Sequence, residues 1–96
     1  MTSETDLIIQ ARQFQETALA EIYDCYSPAL YRYAIRLLGD AQLAEECVAE
    51  TFYRYLQTLH AGGGPADHLQ AYLYRISHNW ITDFYRRQPP PSLPLF

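Results

Sequence analysis

No stretch of this chain alternates apolar and polar residues as a half-buried strand must; hydrophobic residues recur three and four apart wherever they recur at all. That period belongs to a helix with one buried side, so the spacing predicts an all-α fold. Two segments cannot take part. "HAGGGPADH" (60–68) has three consecutive glycines and a proline, and "QPPPSLPLF" (88–96) has adjacent prolines that lack amide donors. The first is a connection between helices, and the second a proline-rich linker or tail. The chain therefore reads as one helical domain over 1–87, a compact bundle of four to five helices, followed by a tail over 88–96.

Local signals place the helices. "TDLIIQARQ" forms a short first one, and 16–26 a second, with Ala18, Leu19, Ile22 and Tyr23 on one side. Ser27-Pro28 pairs a hydroxyl N-cap with proline at the first helical position, which predicts a new helix carrying Leu30, Tyr33, Ala34, Leu37 and Leu38 inward. Gly39 closes it, and Asp40 caps the next, roughly Ala41 to Leu59. There Leu43, Ala44, Cys47, Val48, Thr51, Phe52, Tyr55, Leu56 and Leu59 share one face. Gln42, Glu45, Glu46, Ala49, Glu50, Tyr53 and Gln57 share the other. Asp67 with Gln70 has capping-box spacing for the last helix, whose stripe is Leu69, Tyr72, Leu73, Ile76, Trp80 and Phe84.

Composition narrows the chemistry. A chain of 96 residues with 49% hydrophobic content can bury one core but not two. It has no basic-then-apolar leader and no membrane-length apolar run, so a cytoplasmic protein without membrane contact is expected. Cys25 and Cys47 follow no metal or redox spacing and read as a pair of buried, reduced thiols. His60, His68 and His78 do not follow a zinc pattern, and "AGGGP" lacks the Lys-Ser/Thr of a phosphate-cradling loop. No nucleophile turn or paired-carboxylate motif is present, so neither an enzyme nor a cofactor or metal protein is expected. The formal net charge is −4, yet all seven cations are arginines, the better residue for bidentate and stacking contacts. Acid gathers at Glu45, Glu46 and Glu50, and positive charge at Arg75, Arg86 and Arg87. Two differently charged surfaces suit two different partners.

Three blocks in fixed order carry a resemblance: "YRYAIRLLGD", "AEECVAETF" and "AYLYRISHN…D…RR". Together they are similar to region 2 of the extracytoplasmic-function (ECF) sigma factors, bacterial transcription initiation factors, over about Phe14 to Arg87. The resemblance implies that the acidic helix docks on the β′ coiled coil of RNA polymerase core through Glu45, Glu46, Ala49, Glu50 and Tyr53. An acidic face suits a basic partner independently of that resemblance. At Ala49 the family usually has glutamine, which removes a polar contact from the middle of the face.

The resemblance further implies that the last helix and the loop before it recognise the promoter minus-ten element as a melted strand. Asn79 occupies the base-reading position; Arg75, His78, Arg86 and Arg87 are candidates for phosphate contacts. His60 and His68 bound the loop that would wrap a flipped base. An amide on a base edge with guanidinium groups on the backbone is a chemically sensible combination. No bulky aromatic lies in the loop, and Tyr72 and Trp80 are assigned to the core. Asp83 is expected to pair with Arg36 or Arg87. An anti-sigma factor is a further candidate partner, with no residue assigned to it. No second helical domain that would read a minus-thirty-five element is found, so the chain reads as an excised domain or one that ends early. The alternative is a region-2-like interaction domain that docks on polymerase or a regulator without reading promoter DNA.

Overall fold

The computed structural model describes residues 3–88, in four helices: α1 (Glu4–Arg12), α2 (Glu16–Leu38), α3 (Ala41–His60) and α4 (Leu69–Arg87). No strand occurs among the described residues. The proline-rich segment assigned as a linker lies, from residue 89 on, outside them. No described helix is long and apolar enough to cross a membrane. Helices α2, α3 and α4 pack pairwise, with α1 laid across one end against α2 and α3. Facing pairs set the directions. Thr51 meets Ser77 and Tyr55 meets Tyr72, so α3 and α4 are antiparallel. Tyr33 meets His78 and Leu37 meets Tyr85, so α2 and α4 run parallel.

The two helices expected on either side of Ser27-Pro28 are one. Pro28 sits inside α2, on its exposed side. An interior proline removes one helical hydrogen bond and costs about 3 kcal/mol. The stripe Ala18, Ile22, Leu30 and Ala34 nevertheless keeps its phase across it, each residue no more than 2% exposed. A break at Ser27 would turn one half of that stripe away from α3 and α4. Burial on one side therefore outweighs the missing bond on the other, where the freed carbonyl of Asp24 can meet water.

The remaining ends follow local chemistry more closely. Gly39 adopts a φ of +69°, which closes α2 through a bond from its amide to the Ile35 carbonyl. The Asp40 carboxylate accepts from the Leu43 amide at 2.9 Å, the N-cap the sequence predicts. Tyr85 donates its phenolic hydrogen to the Leu37 carbonyl, satisfying a last-turn acceptor of α2 from α4.

The buried stripe of α4 is Leu69, Leu73, Ser77 and Ile81, a strict four-residue ladder. Tyr72, Ile76, Trp80 and Phe84 lie at its borders, half-buried. The expected stripe passed over Ser77 because a serine carries no apolar signal. Ser77 is fully buried against α3, where its hydroxyl lies 2.7 Å from that of Thr51, also fully buried. Thr51 in turn donates to the Cys47 carbonyl at 2.7 Å, which leaves Ser77 the donor to Thr51. Burial pushes the Cys47 thiol pKa up, so the thiol stays protonated and packs as a small apolar group. Cys25, by contrast, is exposed on α2, so only one of the two thiols is buried.

Removing one hydroxyl of that pair tests it. Thr51→Val keeps the shape but leaves the Ser77 hydroxyl buried without its partner, and should cost about 1–3 kcal/mol of stability. Thr51→Val combined with Ser77→Ala should recover most of that loss in the same urea titration. Additive losses would show that the hydroxyls do not depend on each other.

Candidate functional site

Two outward faces carry the polar residues that the bundle does not use. The first belongs to α3. Ala44, Cys47, Val48, Thr51, Phe52, Tyr55 and Leu59 are buried, which turns Gln42, Glu46, Ala49, Tyr53 and Gln57 outward, all exposed. The acidic residues do not act as a single cluster. Glu46 points straight to solvent. Glu45 turns toward α2, where it lines a depression of about 410 Å³ with Tyr23, Tyr31 and Arg32. Glu50 is half-buried and paired one turn on with Arg54 at 3.3 Å, so part of its charge is already answered.

This face runs into an apolar rim that the periodicity hid. Leu56, expected inward, is 37% exposed, and Tyr53 is 55% exposed. With Phe14, Gln57, His60 and Ala61 they line a shallow depression of about 440 Å³. Phe14 meets the His60 ring edge-on at 5.7 Å between centroids. His60 therefore belongs with Tyr53 rather than with the cationic residues of α4. Phe14 lies between two helices, so no helical pattern marked it as a surface residue of interest.

The second face belongs to α4. Opposite the ladder from Leu69 to Ile81, Arg75, Asn79 and Arg86 fall on one exposed stripe at four- and seven-residue spacing. The eleven steps from Arg75 to Arg86 span about 16 Å of helix. Exposed His78 flanks the stripe on the α2 side, its Nδ1 2.9 Å from the Tyr33 hydroxyl. That contact orients the ring and leaves Nε2 toward solvent. Arg87 is not on the stripe. It lies on the α3 side and lines a small cavity of about 70 Å³ with Arg54, Trp80, Asp83 and Phe84. Asp83 shares that cavity but closes no ion pair within 4 Å among the described residues. Its place on the α3 side of α4 takes it away from Arg36 on α2.

Each Tyr, Trp or Phe ring of α4 already touches another ring, and only Tyr85 among them is largely exposed. Tyr72 packs on Tyr55, Tyr74 on Tyr33, Trp80 lies parallel to Phe84 at 5.8 Å, and Tyr85 meets Phe84 edge-on. What the outward face offers is an amide and guanidinium planes. Among the described residues no three His, Cys, Asp or Glu side chains gather as metal ligands would.

The segment from His60 to His68 stays at the far end of α4 from Asn79, which lies ten residues, about 15 Å of helical rise, beyond Leu69. The capping box expected of Asp67 and Gln70 is absent. His68 occupies the N-cap position with a φ of +52° and no side-chain cap. Instead the carboxylate of Glu4, on α1, accepts from the Leu69 amide at 3.0 Å. The same Oε1 accepts from the Tyr26 hydroxyl at 3.2 Å; partial burial, then the Glu4 charge, push that phenol pKa up to about 12. A cap supplied across 65 residues leaves no local trace in the sequence.

The Sigma-70 region 2 family profile matches residues 22–89. The chain is 40% identical over 62 residues to the ECF RNA polymerase sigma factor SigL of Mycobacterium tuberculosis, covering 65% of this chain and 35% of that protein. It is 28% identical over 81 residues to the ECF RNA polymerase sigma factor BldN of Streptomyces coelicolor, covering 84% of this chain and 31% of that protein. The chain thus spans about a third of the length of these relatives. It belongs to the Sigma-70 region 2 family.

The geometry before α4 uses two glycines in the left-handed region, Gly62 at a φ of +87° and Gly64. Gly64 has a φ of +109°, and a Cβ there would come within 3.1 Å of Leu59 Cδ2. Gly64→Ala should cost about 1–3 kcal/mol through backbone strain. Thermal unfolding measures the loss, and amide exchange should show the opening concentrated between residues 61 and 69. An unchanged exchange pattern would mean that the segment accepts an L side chain.

Proposed function

We propose that this Sigma-70 region 2 domain binds RNA polymerase core through the outward face of α3 and holds the melted minus-ten strand on the outward face of α4, catalysing nothing itself. The observation that carries the reading is the exposed stripe of Arg75, Asn79 and Arg86, set opposite a fully buried ladder. A packing helix needs the ladder and has no need of the stripe. Asn79 would read one unpaired base by its amide, because an asparagine donates and accepts at once. Arg75 and Arg86 would hold phosphates on either side of it, and His78, braced by Tyr33, would donate a further contact from Nε2. Arg87, turned toward α3, would contribute through charge more than through contact.

The α3 surface proposed for the β′ coiled coil is Glu46, Ala49 and Tyr53, with Glu45 and Glu50 at its two edges. A second reading, docking on polymerase or a regulator without promoter recognition, draws support from Ala49 and from the engaged aromatics of α4. A single-strand DNA pool, offered with and without core polymerase, separates the two. Sequence-selective capture favours promoter reading, and polymerase binding alone favours the second.

Two substitution series sharpen that test. Asn79→Ala should relax preference at one base position by about 1–3 kcal/mol, more than it lowers total affinity. Arg86→Ala should weaken all sequences alike and flatten the salt dependence, since phosphate contacts carry no sequence information. Uniform weakening by both would leave only a nonspecific basic face.

The α3 surface makes a separate prediction. Reversing charge at Glu46, which points to solvent and has no ion-pair partner among the described residues, should weaken polymerase binding while shifting thermal stability by about 0.5 kcal/mol or less, the usual range for surface changes. A large loss of stability would make the acidic face structural.

A further inference from the structure

Both ends of α1 hold the segment that joins α3 to α4. In its last turn, Arg12 donates through Nη2 to the Gly64 carbonyl at 2.8 Å and to the Pro65 carbonyl at 3.3 Å. In its first turn, Glu4 accepts from the Leu69 amide at 3.0 Å and from the Tyr26 hydroxyl at 3.2 Å. The two side chains stand eight residues apart, about 12 Å of helical rise, so one short helix reaches both sides of the segment.

Helix α1 is anchored well enough to act as a support. Leu7, Ile8 and Ala11 are at most 6% exposed and belong to the main core. Ser3 caps its start, its hydroxyl accepting from the Asp6 amide at 3.1 Å. The two grips answer groups that local structure leaves open. The Leu69 amide is one of the first donors of α4, and His68 supplies no side-chain cap. A carboxylate there also suits the positive end of the helix. At the other side, the carbonyls of Gly64 and Pro65 gain a charged donor.

We infer that α1 is a brace: Glu4 and Arg12 are positioning residues that hold residues 64–69 in one conformation before single-stranded DNA arrives. The inference rests on the promoter reading proposed for α4, extended to the expectation that the segment leading into that helix also meets the strand. Its consequence is selectivity. A segment already ordered adds no ordering cost to binding, and it presents one shape to the strand rather than several.

Amide exchange on the free protein and single-strand binding test the brace together. Glu4→Ala and Arg12→Ala should each speed exchange about tenfold between Gly62 and Leu69, with the amides around Thr51 unchanged. Each should also lower discrimination at the best-read promoter position about three- to tenfold. Glu4→Gln, which keeps an acceptor for the Leu69 amide, should retain most of the discrimination that Glu4→Ala loses. The inference is overturned if exchange rises across all four helices together, or if the segment opens while discrimination holds. Asn79→Ala, measured alongside, keeps the two ideas apart. A position-specific loss with Asn79→Ala but none with Glu4→Ala or Arg12→Ala sinks the brace alone. No position-specific loss with Asn79→Ala sinks the promoter reading.

Discussion

The Thr51–Ser77 hydroxyl contact sets the position of everything else. Two small polar side chains, both fully buried, let α3 and α4 approach more closely than two leucines would. Each hydroxyl has a partner, so the contact carries no desolvation deficit, and its directionality selects one register where an apolar seam would tolerate several. Cys47 completes the arrangement, its sulfur 3.7 Å from the Ser77 carbonyl. Once that register is set, Glu46, Ala49 and Tyr53 must face outward from α3, and Arg75, Asn79 and Arg86 outward from α4. The two outward faces are by-products of one dry contact between them. Not every polar group inside is so well served. Among the described residues the Tyr55 hydroxyl is buried without a partner, and burial pushes its pKa up to about 12, so it stays protonated.

Helical periodicity made the architecture legible, and it failed where burial and hydrophobicity part company. The all-α class, the extent of α3, the Asp40 cap and the glycine connection could all be read from residue types, because each depends on its near neighbours. Ser77 was invisible because a buried hydroxyl looks like a surface one. Pro28 misled for the opposite reason: a strong local start signal lost to a buried stripe that runs unbroken from Ala18 to Ala34 along α2. The capping box at Asp67 was likewise a sound local pattern, displaced by a carboxylate from the other end of the chain. Of the site residues, Asn79, Arg75 and Arg86 were named from the resemblance, and they fall on one exposed stripe of α4. Arg87 was named with them from the same resemblance, but it directly follows Arg86 and so turns off the stripe, toward α3. His60 was grouped by the loop it bounds, whereas its ring packs toward Phe14 and Tyr53.

Charge distribution reconciles an acidic chain with the anionic strand proposed for α4. The Debye length at physiological salt is about 8 Å, so a ligand on one helix face senses chiefly the charges within a turn or two of it. Around Asn79 those are Arg75, Asp83, Arg86 and Arg87, three cations against one carboxylate, while the carboxylates of α3 lie on another helix. The net charge of −4 acts at longer range. It slows indiscriminate approach to duplex DNA and leaves binding to short-range geometry. Arginine in place of lysine fits this economy, because each guanidinium supplies planar, directional donors as well as charge.

The Glu4 cap has a consequence in time as well as in space. A protein chain is made from its N-terminus, so α1 emerges first, while the amide that its carboxylate caps belongs to residue 69. Throughout the synthesis of α2 and α3, Glu4 has no α4 to cap, although the apolar side of α1 can already rest on α2 and α3. Nine-residue helices are marginal on their own in water. The Glu4 cap closes only once Leu69, the first residue of α4, has been made. Among the side-chain hydrogen bonds of the described residues it spans the longest sequence separation, so its first-made partner waits longest for its second.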